Sequence, residues 1–100
     1  MTDKRKTIIN RIKKNGGFWS YSEPPYGLDD DSVIEAGLIY LELEEMHFLF
    51  ECWKYSKIKR IWKERLLKQG DRMNILNFIL AVKVFNIKRP KQYIKKYSQM

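Results

Sequence analysis

Apolar residues recur at helical spacing along most of the chain, and glycine, proline and one acidic run mark where the pattern breaks. Ile8, Ile9 and Ile12 share one face of a first helix, which Asn15-Gly16-Gly17 ends through its tolerance of left-handed backbone. Phe18 to Asp31, FWSYSEPPYGLDDD, holds two prolines and a Tyr-Gly step. It reads as an irregular segment pinned to the body by its aromatics. Ser32 and Glu35 have capping-box spacing and predict a second helix from about Val33 to Tyr40. Asp29, Asp30 and Asp31 favour the positive end of that helix.

A break at Leu41-Glu42 precedes a third helix carrying Leu43, Met46, Leu49, Phe50 and Trp53. Ser56 is placed to cap a fourth, Lys57 to Gln69, with Ile58, Ile61, Trp62, Arg65 and Leu66 on one face. Gly70 ends it, and Asp71 is placed to cap the next. Arg72 to Asn86 is apolar nearly all round, which predicts a central helix buried on several sides. Its β-branched residues also suit a strand, but the uninterrupted length favours helix. Pro90 suits the first turn of a last helix, Lys91 to Tyr97. The expected fold is all-α: a compact single-domain bundle of five or six short helices, with 1–17 a basic N-terminal helix or arm and 18–100 the helical domain.

Composition supports one folded unit. One hundred residues, 44% of them apolar and 14% aromatic, suffice for a single modest core and are too hydrophobic for a disordered tail. The one cysteine, Cys52, has no partner for an internal disulfide and sits in an apolar run, so a reducing, cytoplasmic setting is expected. Lys4, Arg5 and Lys6 are not followed by an apolar run and cleavage site, which argues against a secretory signal. The basic stretch Thr2 to Lys14 also has the composition of a mitochondrial presequence. The longest apolar stretch, Ile75 to Phe85, is about half the ~20 residues of a spanning helix and contains Asn77 and Lys83, so no membrane partner is expected.

Charge divides the chain into three blocks. Met1 to Lys14 carries +5, Asn15 to Trp53 has nine acids and no Lys or Arg, and Lys54 to Met100 carries +12, for a total of +8. Each block is long enough to set its own field across a Debye length of about 8 Å. The acids either neutralise the basic blocks within the fold or face another macromolecule, and the pattern leaves both open.

Catalytic chemistry finds few components. His47 is the only histidine, so every histidine-based triad or metal site needs it. Glu44 and Glu51 lie three and four residues away, placed to pair with it. Cys52 is five residues from His47, and on a helix the two side chains diverge by about 140°. Asp29 to Asp31 lacks the alternating ligands and glycine of an EF-hand, and Gly16-Gly17 lacks the following Lys-Ser or Lys-Thr of a phosphate loop. No enzymatic activity, metal or cofactor is expected.

Binding is the remaining class. Lys57, Lys59, Arg60 and Lys63 suit phosphates, assisted by lysines further on, and two helices joined at Tyr55-Ser56 suggest a helix-turn-helix. Against that, the turn has no glycine, and the same lysines serve equally as a solvated face. Trp19, Tyr21 and Tyr26 stand among acids outside regular periodicity, as interface anchors or as packing for their own loop.

The order of motifs FWSYS, DDDSVIEAGLIYLELEEMHFLFECW, IKRIWKERL and FILAVKVFNIKRPKQYIKK resembles a family of small bacterial proteins, common in Bacteroidetes, encoded beside abortive-infection-type nucleotidyltransferase toxins. The resemblance covers residues 18 to 96. Its marks are Phe18-Trp19-Ser20-Tyr21, Asp31 with Ile34-Glu35, Ile61-Trp62, and Ala81 followed by Phe85-Asn86-Ile87. It implies a fold and, by association, an antitoxin-like protein that binds and neutralises such a toxin. Partner contact then falls to Trp19, Tyr21, Tyr26, Asp29, Asp30 and Asp31. The alternative is a basic nucleic-acid-binding module, such as an operon autorepressor, using Lys57, Lys59, Arg60 and Lys63. The arm Lys4 to Lys14 lies outside the resemblance.

Overall fold

Stretches with helical periodicity fold as helices: α1 Asp3–Lys14, α2 Asp30–Tyr40, α3 His47–Cys52, α4 Tyr55–Ile61, α5 Asn74–Ile79 and α6 Pro90–Ser98. The computed structural model describes residues 3–98, and among them there is no strand. Thr2, at the expected start of the basic first helix, and the Asp71 side chain, expected as a cap, lie outside the described residues. α4 and α5 each run on into a π-helical turn, Trp62–Leu66 and Leu80–Val84. Tighter 3-10 turns cover Leu43–Glu45 and Leu67–Met73. The Cα radius of gyration, 13.4 Å, is that of a compact globule of this length.

The core forms where the helix stripes converge. Ile8, Ile9 and Ile12 of α1 are fully buried, and meet Val33, Ile34 and Leu38 of α2 and Leu49 of α3 in one cluster with Ile58, Ile61 and Leu66. Trp62 is 0% exposed and is the largest fully buried side chain. Its ring stacks on Phe85 at 4.5 Å and on Tyr93 of α6 at 5.7 Å. The indole N–H needs an acceptor away from water. It donates to Asn77 Oδ1 at 3.0 Å, while Asn77 Nδ2 donates to the Leu66 carbonyl at 3.2 Å. One buried amide therefore pairs with two groups of the α4 segment. Gly70, at φ +65°, lets the chain turn between that segment and α5.

The structure corrects several boundaries. α2 starts at Asp30 and not at Val33, because Asp29 outcompetes Ser32 as the cap: it accepts from the Ser32 backbone N–H at 3.0 Å and from the Ser32 hydroxyl at 2.8 Å. The expected third helix splits into the 3-10 turn and α3, leaving Leu43 exposed. There, Glu45 accepts from the Glu42 backbone N–H at 3.0 Å, a cap the pattern did not announce. α4 begins at Tyr55 after Lys54, so Ser56 lies in its first turn and does not cap it. α5 is not the buried centre. It begins only at Asn74 and buries Asn77, Leu80 and Ala81, while Ile75 is 81% exposed and Phe78 and Ile79 also face solvent. One side of the segment meets Trp62, and Ile75, Phe78 and Ile79 stand exposed away from it.

These roles separate by melting followed with far-ultraviolet circular dichroism. Asn77→Ala leaves the Trp62 N–H unpaired and removes a bond to the Leu66 carbonyl, a cost of about 1–3 kcal/mol, and should lower the midpoint by roughly 5 °C or more. Leu80→Asp should abolish the cooperative transition. Ile75→Asp, on the same helix, should shift it by less than about 4 °C. A large loss from Ile75→Asp, or none from Asn77→Ala, would contradict this account of the core.

Candidate functional site

The loop between α1 and α2 is shaped by steric necessity at its start. Gly16 takes φ +105°, and a Cβ on Gly17 would stand 2.5 Å from Ile12 Cγ2 and 2.8 Å from Tyr40 Cδ2. Phe18 then adopts φ +55°, a left-handed conformation uncommon for a bulky residue. Its carbonyl accepts from the Tyr21 N–H at 3.0 Å, which closes a turn with Trp19 on the outside. Phe18 packs on the core and meets the Tyr21 ring edge-on at 6.0 Å. Trp19 is 83% exposed, and Tyr21 is also exposed.

The rest of the loop is tied to α1. Lys13 donates to the Tyr21 carbonyl at 2.6 Å, and the Tyr26 hydroxyl donates to Asn10 Oδ1 at 2.7 Å. Arg5 donates to the carbonyls of Tyr26, at 2.8 Å, and Leu28, and pairs with Asp30 at 3.0 Å. Lys6 stands 5.8 Å from the centre of the Tyr26 ring. Of the three aromatics singled out in the sequence, Trp19 and Tyr21 are therefore presented to solvent, whereas Tyr26 tethers the loop.

The acidic block is engaged from both sides by the basic blocks. Asp29 is held below the usual carboxylate range by the hydroxyl and then the N–H of Ser32. Asp30 is also lowered: partial burial acts upward, but hydrogen bonds from Arg5 and Trp53 and the charges of Arg5 and Lys57 outweigh it. Asp31 lies 3.9 Å from both Arg60 and Arg65, and Glu35 pairs with Arg65 at 3.2 Å. Glu45 is lowered first by the Glu42 N–H, then, against its burial, by Asn15 and by the charges of Arg11 and Lys14. Asp30 and Asp31 thus have cations beside them within the fold.

The four basic residues of α4 and its continuation divide into two pairs. Lys57 lies 3.9 Å from Asp30, and Arg60 pairs with Glu64 at 3.3 Å as well as with Asp31. Lys59 and Lys63 face another way. Lys59 stands 5.8 Å from the Tyr55 ring and 5.7 Å from that of Tyr93, and Lys63 stands 5.5 Å from Tyr93 and 4.5 Å from Tyr97. Lys96 adds a third ammonium 5.4 Å from Tyr97. The nearness of Tyr93 first, and then of Tyr97, raises the Lys63 pKa above the ordinary lysine value, against the effect of burial. Tyr55, Tyr93 and Tyr97 escaped notice in the sequence. The signal was there in the matching four-residue steps from Lys59 to Lys63 and from Tyr93 to Tyr97.

The other chemically capable groups are engaged locally. His47 Nδ1 contacts the backbone carbonyl oxygen of Glu44 at 2.9 Å and not its carboxylate, and the ring lies 4.2 Å from Phe48. Burial pushes the half-buried Cys52 thiol up, away from the thiolate form a nucleophile needs. Among the described residues no three His, Cys, Asp or Glu side chains form a metal-binding group, and no helix is long and apolar enough to cross a membrane.

The carboxylates set a pH dependence. Asp29, Asp30 and Glu45 titrate lower in the fold than unfolded, so their contribution is complete above the ordinary carboxylate range, about pH 4, and is lost as pH falls through it. Glu42, raised by its neighbour Glu44, offsets part of this. The melting temperature should hold steady from about pH 7 to 5 and fall between about pH 5 and 3; Asp30→Asn should start lower and fall less steeply. A curve independent of pH would mean that these contacts contribute nothing. Compared with known proteins, the chain matches no family model, no curated protein and no solved structure.

Proposed function

We propose that the chain is a non-enzymatic, antitoxin-like protein that binds and neutralises a nucleotidyltransferase-type toxin, with the loop carrying Trp19 and Tyr21 as the gripping element. One observation carries the binding role: Trp19 is 83% exposed on a loop that Arg5, Lys13 and Asn10 hold in place. A tryptophan this exposed adds little to its own fold. On a restrained loop it is a suitable anchor, since little further ordering is needed when a partner closes over it. The resemblance of residues 18 to 96 supplies the kind of partner.

The acids of this stretch have a different part. Asp29 fixes the start of α2, and Asp30 and Asp31 join the loop's exit to Arg5, Lys57, Arg60 and Arg65. In this reading they shape the binding element more than they attract a partner, because nearby cations compensate their charge. Tyr26 belongs with them, as a tether.

Co-expression with the product of the neighbouring gene, expected to be a nucleotidyltransferase-type toxin, tests the proposal, read as growth rescue and co-purification. Trp19→Ala should weaken the complex on the order of 30-fold, the factor for a 2 kcal/mol hot spot, chiefly by faster dissociation, while the melting temperature stays unchanged. Arg5→Ala should weaken it too, although Trp19 is intact, because the loop loses its anchor. A folded chain that neither rescues growth nor co-purifies would overturn the proposal.

A further inference from the structure

We infer that the edge formed by α4, its π-helical continuation and α6 binds single-stranded nucleic acid, with Lys59, Lys63 and Lys96 taking phosphates and Tyr55 and Tyr97 stacking on bases on either side of Tyr93, which stays on Trp62. This surface uses none of the loop's residues and stands or falls separately from the proposal above. Three ammonium groups lie within 4.5 to 5.8 Å of three tyrosine rings on one edge. Tyr55 is 46% exposed, and Tyr93 and Tyr97 are half-buried. Two shallow grooves adjoin it, one lined by Tyr55, Lys59 and Lys63, the other by Lys88, Arg89, Tyr93 and Lys96.

Charge selects a polyanion. Among the described side chains from Lys54 to Tyr97, Glu64 is the only acid, and it is paired with Arg60. Lys59, Lys63 and Lys96 rest on rings, a contact easily exchanged for phosphate, and their departure opens ring faces to bases. Alternating cations and aromatic faces are the means by which proteins hold single strands. A duplex offers no exposed base faces, and reading one through its major groove needs a helix that stands clear. α4 does not: Ile58 and Ile61 are buried, and its Lys59 and Lys63 edge lies against the tyrosines of α6.

Fluorescence anisotropy with labelled oligo(dT) and oligo(rU) of about 15 nucleotides, a duplex of equal length and labelled poly-glutamate tests the inference. The single strands should bind most tightly, with affinity falling as salt rises by about 0.7 log units per log unit for each phosphate contacted. Lys59→Gln with Lys63→Gln should flatten that slope by roughly 1.4, whereas Lys4→Gln with Lys14→Gln, an equal change in net charge, should leave it alone. Tyr55→Leu should weaken binding about tenfold without changing the slope. If that variant melts early, Tyr97→Leu provides the same comparison. Absence of binding at low salt, a duplex or poly-glutamate bound as tightly as the single strands, or an equal loss from the Lys4 and Lys14 pair would each overturn the inference.

Discussion

The Trp62 indole must be buried, and its N–H must still find an acceptor inside an apolar core. The C-terminal half of the chain is arranged around that requirement. Asn77 meets it, and the same amide also reaches the Leu66 carbonyl, so the α4 segment and α5 are joined by direction-dependent bonds as well as by contact. Direction matters because hydrophobic attraction alone would accept many rotations of α5. Phe85 and Tyr93 then sandwich the ring, which fixes the approach of α6. The Lys59, Lys63, Tyr93 and Tyr97 edge is a downstream consequence: one face of Tyr93 lies on the core tryptophan, and the lysines of the same helical segment stand beside it.

A second constraint organises the N-terminal half. Nine acids between two cationic blocks repel one another unless bases lie among them, and the fold brings bases to four of the nine: Arg5 and Arg11 reach Asp30 and Glu45 from one side, and Lys57, Arg60 and Arg65 reach Asp30, Asp31 and Glu35 from the other. Taken singly, exposed pairs of this kind contribute about 0–1 kcal/mol each. Arg5 is different, because its largely enclosed guanidinium also donates to two carbonyls of the loop and converts a charge contact into a shape constraint. Among the described residues, Lys59, Lys63 and Lys96 take no part in these ion pairs and meet tyrosine rings instead.

Much of this was legible in the sequence, and the failures have identifiable causes. Helix positions followed from apolar spacing, and Gly70 and Pro90 ended and began elements where their backbone preferences require. Ser32 misled because capping is a competition, and Asp29, three residues earlier, accepts the Ser32 N–H and hydroxyl together. α5 misled because a segment apolar all round carries no record of which side is covered. Its one informative residue was Asn77, a polar group in an apolar run that marks the side facing a buried donor. For the basic residues, helical spacing already separated Lys57 and Arg60 from Lys59 and Lys63. Which pair meets acids and which meets tyrosines depends on elements about 25 to 35 positions away in the chain, and periodicity does not encode that.

The two surfaces draw on different parts of the fold. The Trp19 loop is held by polar contacts to α1, most of them at or near the surface, and the lysine–tyrosine edge is held by aromatic stacking on the core. Contacts made by partly exposed charged groups weaken with salt, whereas stacking on a buried ring is nearly indifferent to it. High salt therefore loosens the loop's frame before it disturbs the alignment of Tyr93 and Tyr97. Asp30 is the point where the two frames touch, since it binds Arg5 on the loop side and lies 3.9 Å from Lys57 on α4. A change confined to Asp30 reaches both surfaces, but unequally: it removes the Arg5–Asp30 pair while the Arg5 bonds to the Tyr26 and Leu28 carbonyls remain, and on the α4 side only a long ion pair outside the lysine–tyrosine edge.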